Sequence, residues 1–226
     1  MKTLLLSALA LLLLLPQSAA ATQITSFGAV QVDQFFAVDN GDGTTTLSST
    51  NTVNITNIIS GALDPNALFT FSATSIDDAQ LLLGGTVISQ RYAGSFTLTN
   101  QAGTFNYLSG TFGAALEFGG TGSTGAVLTA NSAPQTPPLV LATDLPISLT
   151  NPESFSITLS NIFPGLHVDT YLVNGQLRST IGSFSATEAV TADANLAQPV
   201  PEPASLMLLG TGLVMGARTL RRKVRR

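Results

Sequence analysis

The one histidine, His167, stands two residues before Asp169 in the segment Phe163-Pro-Gly-Leu-His-Val-Asp-Thr-Tyr171. On a strand, positions i and i+2 share a face, so the carboxylate could orient the imidazole as a general base. The nucleophile for such a base must be a Ser or Thr, because the chain has no cysteine, and no G-x-S-x-G elbow singles one out. A second arrangement is Asp39-Asn-Gly-Asp42-Gly43. Calcium takes six or more oxygens. An EF-hand count begun at Asp39 puts glycine at the third and fifth positions and Thr50 at the twelfth. Asp39 and Asp42 are therefore the metal candidates only if Asp33 or another strand's carboxylate joins them. A third arrangement, Gly120-Thr-Gly122-Ser-Thr-Gly125, spells the dinucleotide fingerprint, which needs a strand before it and a helix after it. The residues that follow run through Val127 and Thr129 to Pro134, so a flexible Gly-rich loop is expected instead. Paired carboxylates of a glycosidase are a matter of three-dimensional separation. Sugar sites commonly add aromatic platforms, and this chain has no Trp and offers Tyr92, Tyr107 and Tyr171. No catalytic residue, cofactor or metal is assigned, and the expectation is that the chain is not an enzyme.

The elements that would position these residues are strands. Phe69–Thr74, Ser95–Thr99, Phe155–Ser160 and Ser183–Thr187 each alternate apolar and polar residues, which places Phe inward and Ser or Thr outward at period two. Asn40-Gly-Asp-Gly43 between two such runs predicts a hairpin. Asp64-Pro-Asn66, Asn100–Gly103 and Asn174-Gly175 predict further turns. One short helix is expected over Ile76–Leu83, with Asp77 and Asp78 in its first turn. A Pro-rich connection, residues 132–146, divides the chain without making two domains, because the part after it is too short for its own core. The expected fold is all-β, a single β-sandwich or jelly-roll-like domain over residues 22–198.

Both ends differ from this middle. Lys2, an apolar Leu/Ala run from Leu4 to Leu15, Pro16 and small residues up to Ala21 form a secretory signal peptide, residues 1–21, which makes signal peptidase a processing partner. Residues 199–226 hold Pro201-Glu-Pro203, an apolar run Ala204–Ala217 and a basic cluster, Arg218–Arg226. As a helix the apolar run spans about 21 Å, short of a ~30 Å hydrocarbon core, so it reads as a short transmembrane helix that holds the membrane temporarily. Arg218, Arg221, Arg222, Lys223, Arg225 and Arg226 should stay on the cytoplasmic side, which puts the middle outside. Without the two ends, twelve carboxylates face Arg91 and Arg178, a net of about ten negative charges that argues against nucleic acid as a partner.

Val200-Pro201-Glu202-Pro203 followed by the apolar run and the basic cluster resembles the PEP-CTERM sorting signal of Gram-negative bacteria. The resemblance covers the tail alone. It implies processing by exosortase near Pro201-Glu202-Pro203 and delivery to the cell surface or extracellular matrix, in the company of exopolysaccharide and biofilm. The expected function is structural or adhesive. The alternatives are a carbohydrate-binding module, calcium-assisted through Asp39 and Asp42, and a surface hydrolase using His167.

Overall fold

The computed structural model describes residues 22–28, 34–55, 58, 64–132 and 137–196. They belong to the first of two compact units, Met1–Leu196; the second, Ala197–Arg226, carries the sorting tail. The signal-peptide helix, Asp33 and the C-terminal helix lie outside the described residues.

The strands in chain order are β1 (Thr22–Gly28), β2 (Phe35–Asp39), β3 (Thr45–Ile55), β4 (Asp64–Ser75), β5 (Gln80–Leu82), β6 (Val87–Thr99) and β7 (Asn106–Gly120). Then come β8 (Ala126–Asn131), β9 (Val140–Ala142), β10 (Leu149–Phe163), β11 (Val168–Val173), β12 (Gln176–Ile181) and β13 (Phe184–Leu196). All pairings are antiparallel. The ladder runs β6-β4-β3-β2-β13-β10-β8-β7, and β7 pairs back to β6 over most of its length. Eight wall strands therefore close on themselves. Closure removes most of the open edges that a sheet must otherwise protect. β1 and β2 line the same side of β13, β1 along Ala189–Ala194 and β2 along Phe184–Ala186. Each wall strand neighbours the next in chain order, so the connectivity is a meander, without the wound crossings of a jelly roll.

The all-β expectation holds, and the opposite walls pack on each other as the layers of a sandwich do. Phe96 of β6 and Phe155 of β10, from opposite walls, stack with centroids 3.9 Å apart and planes 9° from parallel. Phe71 and Phe112 stack on Phe155 as well, both at 6.4 Å. Phe35, Phe69, Leu47, Leu98, Leu128 and Ile157 complete a core of fully buried side chains. The four alternating segments all place their Phe residues inward as period two demands. The outward positions carry Thr and Ser, the reverse of a transmembrane barrel, whose apolar band faces lipid.

The helix expected over Ile76–Leu83 is absent. Residues 76–79 form a loop, β5 follows, and Leu83–Gly85 is a single 3-10 turn. Side chains of neighbouring strands claim the backbone there. Gln90 donates to the Asp77 carbonyl at 2.9 Å, Ala79 N–H donates to the Ser179 carbonyl at 2.8 Å, and the Asp77 carboxylate accepts the Arg91 N–H. Asp64-Pro-Asn66 opens β4, with the Asp64 carboxylate accepting Asn66 N–H in a local turn. Asn40–Gly43 and Asn174-Gly175 make the hairpins expected of them; Asn174 and Gly175 both take positive φ.

Gly94 sits where β6 and β7 slip register. A Cβ there would collide with the Ser72 carbonyl and come within 2.6 Å of Ala73 Cα. The obstruction is backbone on the neighbouring strand and cannot rotate away. Gly94→Ala is expected to lower stability by about 1–3 kcal/mol, the usual range for overpacking, as measured by urea unfolding; an unchanged midpoint would mean the two strands separate freely here.

Candidate functional site

Register turns the outward Thr and Ser residues into rows. Thr50, Thr70, Thr97 and Ser109 lie side by side across β3, β4, β6 and β7, and Ser48, Ser72, Ser95 and Thr111 form the next row. Neighbouring strands stand ~4.8 Å apart, close enough for the Thr70 and Thr97 hydroxyls to bond at 2.6 Å. Residues 46–54, 68–74, 95–99 and 109–111 contain no charged side chain. In so acidic a domain, a charge-free hydroxyl face is a definite segregation.

The charges collect elsewhere. Asp39, Asp42, Asp77, Asp78, Asp169, Arg91, Arg178 and His167 lie at one end of the barrel, under or beside the β11–β12 hairpin that caps it, and Asp64, Asp144, Glu153 and Asp193 lie toward the other. Arg178 of β12 pairs with Asp78 at 2.5 Å, and Arg91 with Asp77 at 2.5 Å. The Tyr171 hydroxyl of β11 donates to Asp39 at 2.5 Å, and this hydrogen bond pushes the Tyr171 phenol up to about 12. Gly43 lies against Arg178 Cβ, so the Asn40–Gly43 turn and the hairpin pack together. The opposite end carries both Thr22, paired with Ala194, and Leu196, so the chain enters and leaves the domain there.

Asp39 and Asp42 are both engaged. The Asp39 carboxylate accepts Gly41 N–H at 2.8 Å besides Tyr171. Asp42 accepts the Thr44 N–H at 2.9 Å and the Thr44 hydroxyl at 2.5 Å, which hold its carboxyl below the usual range. Among the described residues no group of three or more His, Cys, Asp or Glu side chains is placed to hold a metal. His167 does lie beside Asp169, with Nε2 3.5 Å from the carboxylate. Its Nδ1 is 2.9 Å from the Gly165 carbonyl, which can only accept, so the neutral ring carries its proton on Nδ1. Nε2 then presents a lone pair to Asp169, and the two repel unless the ring is protonated. That is the reverse of a base oriented by a carboxylate. Gly120–Gly125 closes the β7–β8 hairpin with no helix after it. Its turn docks the crossover to β11, Gly122 N–H donating to Leu166 and Leu166 N–H to Ser123.

None of the three tyrosines lies fully open to solvent. Tyr92 is wholly buried. Tyr107 is half-buried with its hydroxyl on Asp64 at 2.9 Å, and Tyr171 is half-buried against Asp39. Tyr92 instead joins a polar cluster inside the capped end. Its hydroxyl donates to Gln90 Oε1 at 3.0 Å, which also accepts Ile181 N–H at 3.0 Å, and Gln90 Nε2 donates to Thr180. Thr180 meets Thr45, whose hydroxyl also donates to the Ile181 carbonyl. Glu117 of β7, opposite Gln90 across the ladder, is fully buried, with the Tyr92 hydroxyl as its polar neighbour and no well-formed hydrogen bond on either oxygen. Burial pushes its carboxyl up to about 7. Glu188 of β13 is also inward, with Oε1 accepting from Ser49 and Asn51 at 2.6 Å each, and burial raises it as well. Sequence reading passed over both acids. The signal was there for Glu188, which shares the parity of Phe184 and Ala186.

Val200, Pro201, Glu202, Pro203 and the basic cluster lie outside the described residues. Residues 199–226 match the family model of the PEP-CTERM protein-sorting motif. No curated protein and no solved structure matches the chain. The tail therefore carries a PEP-CTERM motif, which marks an exported, surface-associated protein processed by exosortase.

Proposed function

We propose that this protein is a non-enzymatic structural or adhesive component of the cell surface, whose hydroxyl face contacts neutral matrix polysaccharide. The sorting tail holds it to the membrane until processing, and the domain does its work afterwards. The observation that carries the reading is the pair of uncharged Thr/Ser rows on β3, β4, β6 and β7. A sugar hydroxyl that replaces water on such a face exchanges one neutral hydrogen bond for another and strips no ion of its hydration. Each exchange is weak. Rows of them along a polymer act together, and many copies on one strand add avidity without any deep pocket. The calcium-assisted alternative is not favoured, since the Asp39 and Asp42 carboxylates are taken up by their own turn and by Tyr171.

The test is to place charge inside the rows without touching the core. Ser72 and Ser95 are exposed cross-strand neighbours. The double variant S72E/S95E is expected to fold, losing no more than about 1 kcal/mol from like charges facing each other. Its retention on the cell surface, and its co-sedimentation with neutral polysaccharide purified from the same cells, should fall several-fold, roughly as lost multivalent contacts predict. Retention equal to the unaltered protein would refute the hydroxyl face as the contact surface. Intact-mass analysis of the retained protein would report tail processing separately.

A further inference from the structure

Register carries one of the hydroxyl rows beyond β3. Ser48 faces Phe36 of β2, Phe36 faces Ser185 of β13, and Ser185 faces Phe163 of β10. Round the wall from β3, the outward positions read hydroxyl, ring, hydroxyl, ring. Phe36 is 43% and Phe163 77% exposed, and they are the exposed aromatic rings among the described side chains. A single exposed Phe needs no explanation. Two on one row, in line with a run of hydroxyls, do.

The backbone turns Phe163 outward. On β10 the inward positions are Phe155, Ile157 and Leu159, and period two would continue inward at 161 and 163. The ladder to β13 slips between Ser160 and Phe163, where Asn161 takes a φ of 55°. A bulge of this kind inserts one residue and re-aims those that follow. Ile162 is buried as a result, and Phe163 is exposed. The surroundings of both rings are free of charge: residues 35–38, 154–163 and 184–187 hold no charged side chain outside the core. On a domain of about ten net negative charges, this strip suits a neutral ligand that has both apolar and hydroxyl surfaces.

We propose that Phe36 and Phe163 are stacking platforms for alternate sugars of a neutral, extended polysaccharide that runs across the strands along this row. Such platforms presuppose the polysaccharide partner proposed above and add to it a contact mode and a direction. A pyranose has a face of C–H groups and a rim of hydroxyls. The face buries apolar area on a ring, and the rim meets the Ser185 and Ser48 hydroxyls beside it. The two rings stand two strand spacings apart, roughly 10 Å at the backbone, close to the repeat at which an extended glycan turns the same face on every second unit. Apolar contact is what the hydroxyl rows lack, since their hydrogen bonds are exchanged with water nearly one for one.

The chain has no Trp, so full-length F163W reports on the site directly. On addition of neutral polysaccharide purified from the same cells, F163W emission should shift to the blue and its quenching by acrylamide should fall several-fold. L177W, exposed on the capping hairpin off the row, should change in neither. F36A/F163A should co-sediment with that polysaccharide about tenfold more weakly, as two lost ring contacts predict, while circular dichroism shows an intact fold. F36Y/F163Y keeps the rings and should bind as the unaltered protein does. F163W that keeps its emission, or F36A/F163A that binds undiminished while S72E/S95E is weakened, overturns the platforms and leaves the hydroxyl face standing. F36A/F163A that loses surface retention without losing polysaccharide binding places a protein on the rings and overturns the platforms as well. Unaltered protein that fails to co-sediment overturns the platforms and the polysaccharide reading together.

Discussion

Phe155→Ala should remove about 3–5 kcal/mol of stability, the range for truncating a buried Phe to Ala. That is a large part of the roughly 5–15 kcal/mol that holds a typical domain together. The reason is position. Phe155 lies on β10 and stacks on Phe96 of β6 at 3.9 Å, with Phe71 and Phe112 at 6.4 Å on either side. It is the ring at which the opposite walls meet, so its loss leaves a cavity that neither wall can fill without bending. No disulfide offsets the loss, because the chain has no cysteine. Phe163, at the end of the same strand and 77% exposed, is the control: Phe163→Ala should stay within about 0.5 kcal/mol of the unaltered protein. Urea unfolding of the two variants decides. Similar midpoints would mean that the stacked cluster does not hold the walls together.

The inward ring positions were legible in the residues, because period two is a local property. Phe69, Phe71, Phe96, Phe155 and Phe184 face inward as their alternation requires. The turns at Asn40–Gly43 and Asn174-Gly175 were legible for the same reason: positive φ selects Asn and Gly wherever the chain goes next. Closure was not legible. It depends on β7 finding β6 on one side and β8 on the other, and on β13 returning to β2, and nothing in Ser-Phe-Thr-Leu-Thr names its partner. The rows Thr50-Thr70-Thr97-Ser109 and Ser48-Ser72-Ser95-Thr111 exist only once register is set, so the candidate site was visible as composition and invisible as a surface. The helix expected at Ile76–Leu83 failed on a similar point. Asp77 and Asp78 suit a first turn, yet their partners Arg91 and Arg178 arrive from strands distant in sequence, and those pairings outweigh a weak local propensity. Tyr92 shows the limit in the other direction: as one of three tyrosines it drew attention as a sugar platform, while its parity with Phe96 and Leu98 already placed it inside.

The buried acids set the pH response. Glu117 has a folded-state carboxyl raised from 4.5 to about 7, so the folded protein holds that proton more tightly than the unfolded chain does. The stability tied to it is fully present below pH ~4.5 and is lost as pH rises through about 7. A shift of this size corresponds to roughly 3 kcal/mol, and full burial leaves little solvent to screen it. Glu188 and Glu153 are raised in the same direction by burial. The domain should therefore be more stable near pH 5 than near pH 8. Glu117→Gln and Glu117→Leu both remove the titration, one keeping the shape and the other the apolar surroundings. Each should flatten the fall in unfolding free energy between pH 5 and pH 8 by about 3 kcal/mol relative to the unaltered protein. Urea titrations at the two pH values measure it. If both variants keep the original pH slope, Glu117 is already ionised and partnered in the folded state.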